Sequence, residues 1–309
     1  MKPILILAHP GDRLARRVGG WLQSWGGPDC VKLIGVEQIA LAPDWRHYQT
    51  RQGVTTHIRL ADGAILDDRF GAVFNRLQQV ELPHFAGAAA ADRAYALAEM
   101  QALLLSWLHS LPCPVINRAS PQGLGGARRT HAQWLHLAHA GGLPVQAYHF
   151  STNPRRFSPP TQVNSPLLSF RSPASTSLGG ISQLEPITPL QIGADPTFFV
   201  EAVGAERRRV LVAGERVVGA VEGMDVDGCR RLARLAGCAL LEIEWARRMA
   251  GEDGAWVVCG ANSFPVGEDG GFVAAIGDLL VAEAAPSPGP LVSTGGEERG
   301  VREKGAGGL

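Results

Sequence analysis

The chain contains 309 residues with a mass of 32.8 kDa, which suffices for about two or three packed domains. Its 29 acidic and 29 basic side chains balance, which argues against a disordered polyanion and against a protein that binds nucleic acid through a basic surface. Five cysteines without CxxC spacing argue against a disulfide framework, and no apolar run reaches the roughly 18–20 residues of a membrane span. We therefore expect a cytoplasmic protein without nucleic-acid or membrane partners.

The first 118 residues have the pattern of an α/β unit. Short continuous apolar runs, typical of buried parallel strands, alternate with segments of helical spacing. We predict a doubly wound domain over this region. The predicted strands cover 3–8, 31–36, 71–77 and 111–118, the helices cover 14–25 and 92–109, and a hairpin covers 57–68.

The remainder alternates between helices and pairs of short strands. After a loop at 120–126, a helix within 127–145 is stopped by Gly141 and Gly142. From 284 onward the chain has no periodicity, and we expect a disordered tail. The other predicted elements are strands at 166–171, 197–203, 208–214, 215–221, 239–245 and 255–262, and helices at 225–237 and 270–283.

The order of these elements resembles the ATP-grasp superfamily, and within it the RimK-like and peptide-macrocyclising ligases. The resemblance implies a pre-ATP-grasp domain over 1–118, two α+β lobes over 119–203 and 204–283 that enclose a nucleotide cleft, and a tail over 284–309. The stretches that carry it are VFNRL at 73–77, PVINR at 114–118, AQWLHLAHAGGLPV at 132–145, FFVEAVGAERRRVLVAGERVVGAV at 198–221, EIEW at 242–245 and VVCGANSFPV at 257–266.

The resemblance also implies a chemistry, in which ATP phosphorylates a carboxylate and an amine or alcohol then displaces phosphate from the acylphosphate. Glu201 stands where the family's linker carboxylate contacts the ribose, and Arg209 where an arginine lies near the phosphates. The small-residue run 172–180, which includes Gly179 and Gly180, has the composition of a phosphate-covering loop.

The family's phosphate lysines are replaced by arginine. Lys2, Lys32 and Lys304 are the only lysines among the 29 basic residues. At the two family lysine positions this chain offers Arg128 or Arg129, and Arg171. Arginine keeps the charge, but its planar head makes the exchange non-conservative at a fitted site.

The resemblance places Mg²⁺ on Asn262 and on a carboxylate of the preceding strand, which is Glu244, or Glu242 if the strand register differs. The family carries a glutamate two residues before the asparagine, and this chain has Gly260 there. In the N-terminal domain, Arg76 and Arg118 are expected to bind a peptide or amino-acid substrate.

Two functions stay open from the sequence. Asn262 and Arg209 favour an ATP-dependent carboxylate–amine ligase with a degenerate site. Gly260 and the absent lysines favour an inactive ATP-grasp-like protein that serves as a peptide-binding or partner subunit in a biosynthetic pathway. The sequence also leaves open whether the chain forms a homo-oligomer or binds a pathway partner.

Three other candidate functional motifs have weaker support in the sequence. His136 and His139 lie three residues apart on a predicted helix, but no cysteine or carboxylate joins them, so we predict a solvated face. The stretch AHPGD at 8–12 resembles the AHPDD motif of zinc-dependent sugar-amide deacetylases, yet Gly11 replaces an aspartate and Arg13 stands at an acidic position. A GxSxG nucleophile elbow is absent from the sequence.

Overall fold

The computed structural model describes residues 1–151, 167–170, 185–186, 197–249 and 254–285. Three four-stranded sheets and one three-stranded sheet are described, with helices packed against them. In chain order the elements are β1 Ile4–Ala8, α1 Arg13–Gly26, β2 Val31–Gly35, α2 Val36–Ala40, β3 Asp44–Thr50, β4 Gly53–Arg59, β5 Ile65–Leu66, β6 Ala72–Asn75, α3 Ala90–Ser110, β7 Val115–Ile116, α4 His131–Ala140, β8 Tyr148–Ser151, β9 Leu167–Phe170, β10 Glu185–Pro186, β11 Thr197–Glu201, β12 Val203–Ala213, β13 Arg216–Val218, α5 Val226–Ala236, β14 Leu240–Arg248, β15 Trp256–Asn262 and α6 Gly270–Ala284.

The N-terminal sheet is parallel and has the order β2-β1-β6-β7. Successive residues of β1 point to opposite faces, as the pleat requires. Ile4 and Ile6 belong to a core formed with α1 and α6, whereas Leu5 and Leu7 belong to a second core formed with α3. Burial on both faces explains why β1 is a continuous apolar run rather than an alternating one.

The last described helix, α6, packs on this N-terminal sheet. Gly277 of α6 lies directly against Trp21 of α1, and a Cβ atom built at Gly277 would come within 2.1 Å of the Trp21 ring. A side chain at position 277 is therefore excluded by the close approach of the two helices. Although α6 falls in the predicted third domain, it shares a core with the first; the boundaries at 118, 203 and 283 stay predictions.

The C-terminal sheet is antiparallel and has the order β13-β12-β14-β15. Its apolar face packs on α4 and α5 through side chains that include Val210, Leu241 and Ile243. A β-bulge interrupts the pairing of β14 with β15 between Glu244 and Trp245. The predicted hairpin of β12 and β13, which turns at Gly214 and Glu215, is confirmed.

The middle sheet, β10-β9-β11-β8, is antiparallel and adjoins the C-terminal sheet at Glu201. Residues 143–147 run beside β15, where Gln146 donates its N–H to the Val258 carbonyl at 2.9 Å and Val145 forms a parallel bridge with Val258. This segment fixes the start of the middle sheet against the C-terminal sheet.

Some boundaries differ from the sequence predictions. The predicted strand 31–36 ends at Gly35 because Val36 starts the short helix α2. Helix α4 begins only at His131, since Thr130 and Gln133 form a capping box, and α6 continues through Ala284. The hairpin of β4 and β5 carries an additional strand, β3, which the sequence analysis missed because its side chains are mostly polar.

Residues 286–309 of the predicted tail lie outside the described part of the chain. Within the described ranges, no helix combines the length and apolar character needed to cross a lipid bilayer.

Candidate functional site

One face of the C-terminal sheet carries charged and amide side chains beside the apolar residues Leu211, Ala213 and Leu240, which pack toward α6. In the strand register, Arg209 of β12 pairs with Glu244 of β14, and Glu242 of β14 pairs with Asn262 of β15. Residues paired in antiparallel strands project to the same side of a sheet. Alternation therefore brings Arg209, Glu242 and Asn262 to one face, opposite the face that packs on α4 and α5.

Glu242 is the buried carboxylate of this polar face, and its residue is 6% exposed. Its Oε2 accepts hydrogen bonds from the backbone N–H groups of Val266 at 3.0 Å and Gly267 at 2.8 Å. Its Oε1 lies 3.7 Å from Nε of Arg209. Two backbone donors and a nearby guanidinium compensate the burial of the charge, so the carboxylate is held in one orientation.

Asn262 lies at the end of β15 and closes a tight turn on Phe264. Its Oδ1 accepts the Phe264 N–H at 2.8 Å, and its Nδ2 donates to the Phe264 carbonyl at 2.7 Å. An amide oxygen has two acceptor lone pairs, so Oδ1 can accept one further donor or bind a cation. The turn thus fixes the direction of the amide without using its full capacity.

Glu244, predicted as the strand carboxylate of the metal site, is engaged differently. Its register partner on β15 is Gly260, and its Oε1 accepts a hydrogen bond from Arg207 at 2.6 Å. The carboxylate opposite Asn262 in the strand register is Glu242, the alternative given for the metal site. Arg207, which holds Glu244, was given no role in the sequence analysis.

The groups around Glu244 have shifted pKa values. Burial lowers the pKa of Arg207, but the hydrogen bond to Glu244 and the charge of Glu244 raise it, and the net direction is upward. Burial raises the pKa of the Cys259 thiol to about 12, with Glu244 adding to the rise. Burial lowers the pKa of His131, an effect that Glu244 partly offsets. Cys259 is therefore a neutral thiol and no nucleophile at neutral pH.

Glu242 and Asn262 provide oxygen atoms suited to a hard cation whose other ligands would be substrate phosphates and water. Oε1 of Glu242 and Oδ1 of Asn262 are oxygen donors of the kind that Mg²⁺ prefers, and Mg²⁺ commonly uses one or two carboxylates together with substrate phosphates and water. Gly260 contributes no side-chain ligand. Across the described ranges, no group of three or more His, Cys, Asp and Glu residues is arranged to hold a metal ion by itself.

Glu201, predicted at the ribose, ends β11 where the middle and C-terminal sheets meet. Its N–H donates to the Ala147 carbonyl at 2.9 Å, its carbonyl accepts from the Gln146 side chain, and its Oε2 accepts the Ala147 N–H at 3.4 Å. The side chain is half-buried at the junction of two sheets. The position agrees with a linker residue, and its ribose contact stays a prediction.

Arg128 and Arg129, predicted at the phosphates, precede α4 and line an open cavity of about 550 Å³ beside that helix. Arg128 is exposed. Arg129 donates to the Ala236 carbonyl at the end of α5 at 2.8 Å and stacks over Trp134 at 5.0 Å. The guanidinium of Arg129 therefore caps a helix, which leaves Arg128 as the freer of the two cations at the cavity.

Arg76 and Arg118, predicted to bind substrate, have opposite environments. Arg118 follows β7 and is exposed. Arg76 follows β6, is 4% exposed, and contacts Asp12 and Pro265. The guanidinium of Arg76 is thus engaged by protein partners, and its substrate contact stays a prediction.

Three predicted residues, Arg171, Gly179 and Gly180, lie outside the described residues. Of the alternatives, His136 and His139 are both exposed on α4, as predicted for a solvated face. In the AHPGD stretch, Asp12 caps α1 through the Ala15 N–H and pairs with Arg76, so both of its oxygens are engaged. That geometry disfavours a zinc ligand at position 12.

No protein-family model matches the chain, and no curated protein matches it by sequence. Solved structures do match over nearly the whole length. The RiPP-associated ATP-grasp ligase of Chryseobacterium gregarium, in complex with ADP and a leader and core peptide, gives a TM-score of 0.67 at 14% identity, covering 93% of this chain and 98% of that one.

Two further structures are similar. The ATP-grasp ligase PsnB, complexed with a phosphomimetic variant of a minimal precursor, Mg and ADP, gives a TM-score of 0.68 at 20% identity, covering 92% of this chain and 99% of that one. The macrocyclase MdnC from Microcystis aeruginosa MRC, bound with precursor peptide MdnA, gives 0.67 at 15% identity, covering 91% and 99%. The chain therefore has the ATP-grasp fold. The version of that fold is the one seen in these peptide ligases.

Proposed function

We propose that the protein is an ATP-dependent carboxylate–amine ligase of the ATP-grasp type that acts on a peptide substrate. The observation that carries this proposal is the polar face of the C-terminal sheet, on which Arg209, Glu242 and Asn262 come together within an ATP-grasp fold. The peptides and ADP in the similar structures support the choice of substrate and cosubstrate.

In the proposed reaction, a carboxylate oxygen of the peptide attacks the γ-phosphorus of ATP, the bond to the bridging oxygen breaks and ADP leaves. An amine then attacks the acyl carbon, a C–N bond forms, and phosphate leaves as the amine loses a proton. The protein supplies positioning and charge neutralisation for both steps. Arg209, whose side chain is 56% exposed, can offer guanidinium N–H groups to phosphate oxygens.

Glu242 and Asn262 would hold Mg²⁺ together with the nucleotide phosphates, and the ion would neutralise phosphate charge when bound. Glu201 is proposed at the ribose, and the predicted phosphate cations are Arg128, Arg129 and Arg171, of which Arg128 is both described and exposed. The loop with Gly179 and Gly180 is proposed to cover the phosphates. Arg118, exposed after β7, is the proposed substrate contact in the N-terminal domain.

A second candidate is a catalytically inactive peptide-binding or partner subunit. One observation that favours it is the ion pair of Arg207 and Glu244 at 2.6 Å, which neutralises one of the two carboxylates of the polar face. The other is Gly260, which lies opposite Glu244 and supplies no carboxylate. Fewer free carboxylates at the site weaken the attraction for a divalent cation.

Titration calorimetry with ADP and MgCl₂ separates the two candidates. The wild-type protein should bind Mg·ADP, and Glu242→Gln should weaken binding by about 10–100-fold because one charged ligand is lost. The matched control is Glu215→Gln, whose side chain lies in the β12–β13 turn and is 82% exposed. No heat with the wild-type protein at millimolar ADP would refute the ligase and leave the inactive subunit.

A further inference from the structure

We propose that Arg76 is a positioning residue that holds the segment 263–267 and, through it, the Glu242 carboxylate and the Asn262 amide. This inference rests on the proposed function, because it concerns the site to which nucleotide binding has been ascribed. It replaces the predicted substrate contact of Arg76 with a role in the architecture of that site.

Arg76 lies at the carboxyl end of β6 in the parallel sheet, beside the point where the strand order reverses. The chain leaves β1 toward β2 on one side and returns to β6 on the other, so β1 and β6 flank the switch point of the sheet. Asp12 follows β1, Arg76 follows β6, and the Arg76 N–H donates to the Leu7 carbonyl at 2.7 Å. A parallel sheet leaves a crevice at the carboxyl ends of such strands. Here the segment 263–267 enters that crevice.

Three contacts engage the Arg76 guanidinium inside the crevice. Its Nε donates to Oδ2 of Asp12 at 2.8 Å, and its Nη1 donates to the Pro265 carbonyl at 2.7 Å. Its Cζ lies 4.0 Å from the ring centroid of Phe264. An ion pair, a charged hydrogen bond and a cation–π contact thus fix the guanidinium in a buried place, where each is stronger than at a surface.

The same short segment completes the polar face. Phe264 supplies both backbone groups that close the Asn262 turn, and Val266 and Gly267 supply the two N–H donors of Glu242 Oε2. Arg76 therefore contacts Phe264, which closes the Asn262 turn, and Pro265, which precedes the two donors to Glu242. Carboxylates that bind metal ions are oriented by such hydrogen bonds, and their loss weakens metal binding without removal of a ligand.

Asp12 links this arrangement to the N-terminal domain. Its Oδ1 accepts the Ala15 N–H as the N-cap of α1, while Oδ2 holds Arg76. Asp12 is 12% exposed and Arg76 4%, so water competes little for the pair. The start of α1, the end of β6 and the segment 263–267 are consequently joined through one carboxylate and one guanidinium.

The test compares three variants of the full-length protein. Arg76→Met removes the charge and keeps the length, and Asp12→Asn keeps an N-cap residue while removing the carboxylate. Arg13→Met is the matched control, because Arg13 pairs with Glu268 at 3.2 Å and links the same two segments at the surface, with its side chain 72% exposed. Two quantities are measured: amide hydrogen–deuterium exchange across 262–268 without ligand, and the affinity for ADP with MgCl₂ and with EDTA.

Arg76→Met should speed exchange at Val266 and Gly267 by about tenfold or more, because the segment opens locally more often. It should weaken Mg·ADP binding by about 10–100-fold, with a much smaller effect on ADP in EDTA. Arg13→Met should change neither quantity. If Arg76→Met does not fold, Asp12→Asn replaces it in the test, and it should likewise speed exchange at Val266 and Gly267 and weaken Mg·ADP binding.

Unchanged exchange across 262–268 in Arg76→Met or Asp12→Asn would overturn the inference, as would an equal loss of ADP affinity with and without Mg²⁺. The proposed function fails separately. If the wild-type protein binds no ADP under either condition, the nucleotide site is refuted, while the exchange measurement still decides whether Arg76 holds the segment.

Discussion

The two faces of strand β14 differ in what they contribute. Leu241, Ile243 and Trp245 point to the face that packs on α4 and α5, and all three are fully buried. Glu242 and Glu244 alternate with them and point to the opposite face, where they pair with Arg209 and Arg207. One strand therefore carries the core on one side and the candidate site on the other, so mutations in neighbouring residues should separate stability from binding.

The largest effect is expected on the apolar face. Ile243→Ala should lower the free energy of unfolding by about 2–5 kcal/mol, because it removes buried methyl groups and leaves a cavity between β14 and the helices. Chemical denaturation monitored by Trp fluorescence measures this change. A loss well below 1 kcal/mol would mean that this face is not the packed core described above.

A smaller effect, on nucleotide binding rather than on stability, is expected when the arginines of β12 are replaced one at a time. Arg209 lies on the polar face, whereas Arg208 lies on the opposite face and is 3.8 Å from Glu206. Arg209→Met should weaken Mg·ADP binding by roughly tenfold to a hundredfold, the equivalent of one charged hydrogen bond, with little change in stability. Arg208→Met is the control and should bind as the wild type does. Equal effects of the two variants would show a general basic surface instead of a directed contact.

The smallest effect concerns pH. The folded pKa of His131 is lowered by burial, so the unfolded chain binds a proton more readily than the folded one. The stability associated with the neutral ring is present above the unfolded pKa of about 6.5 and is lost as the pH falls below it. His131→Asn should therefore lose less stability than the wild type between roughly pH 7 and pH 5. Thermal melting at several pH values measures the difference, and parallel curves would contradict it.

The sequence predicts most elements because their signals are local. The apolar run of β1, the capping residues of the helices and the turn of β12 and β13 each depend on neighbours in the chain. Strand β3 was missed because none of its residues is fully buried, so the apolar alternation that marks a strand is weak there. The resemblance to ATP-grasp ligases is confirmed at the level of the fold by the similar structures.

The site was harder to predict because it depends on contacts between distant residues. The choice between Glu242 and Glu244 requires the register of β14 with β15, and the connection over 249–255 is too long to fix a register by its turn type. Arg76 was recognised at the end of β6, but its partner Pro265 lies 189 residues further along the chain. No local pattern could indicate that its guanidinium would be buried.

The contact between α6 and α1 has a consequence for biosynthesis. The face of the N-terminal sheet that carries Ile4 and Ile6 is covered by α1 and α6, and it lacks α6 until residues 270–284 have left the ribosome. During synthesis, the apolar side chains of this face are therefore exposed to water until α6 packs on them. A fragment that ends before α6 should aggregate or bind chaperones rather than fold alone.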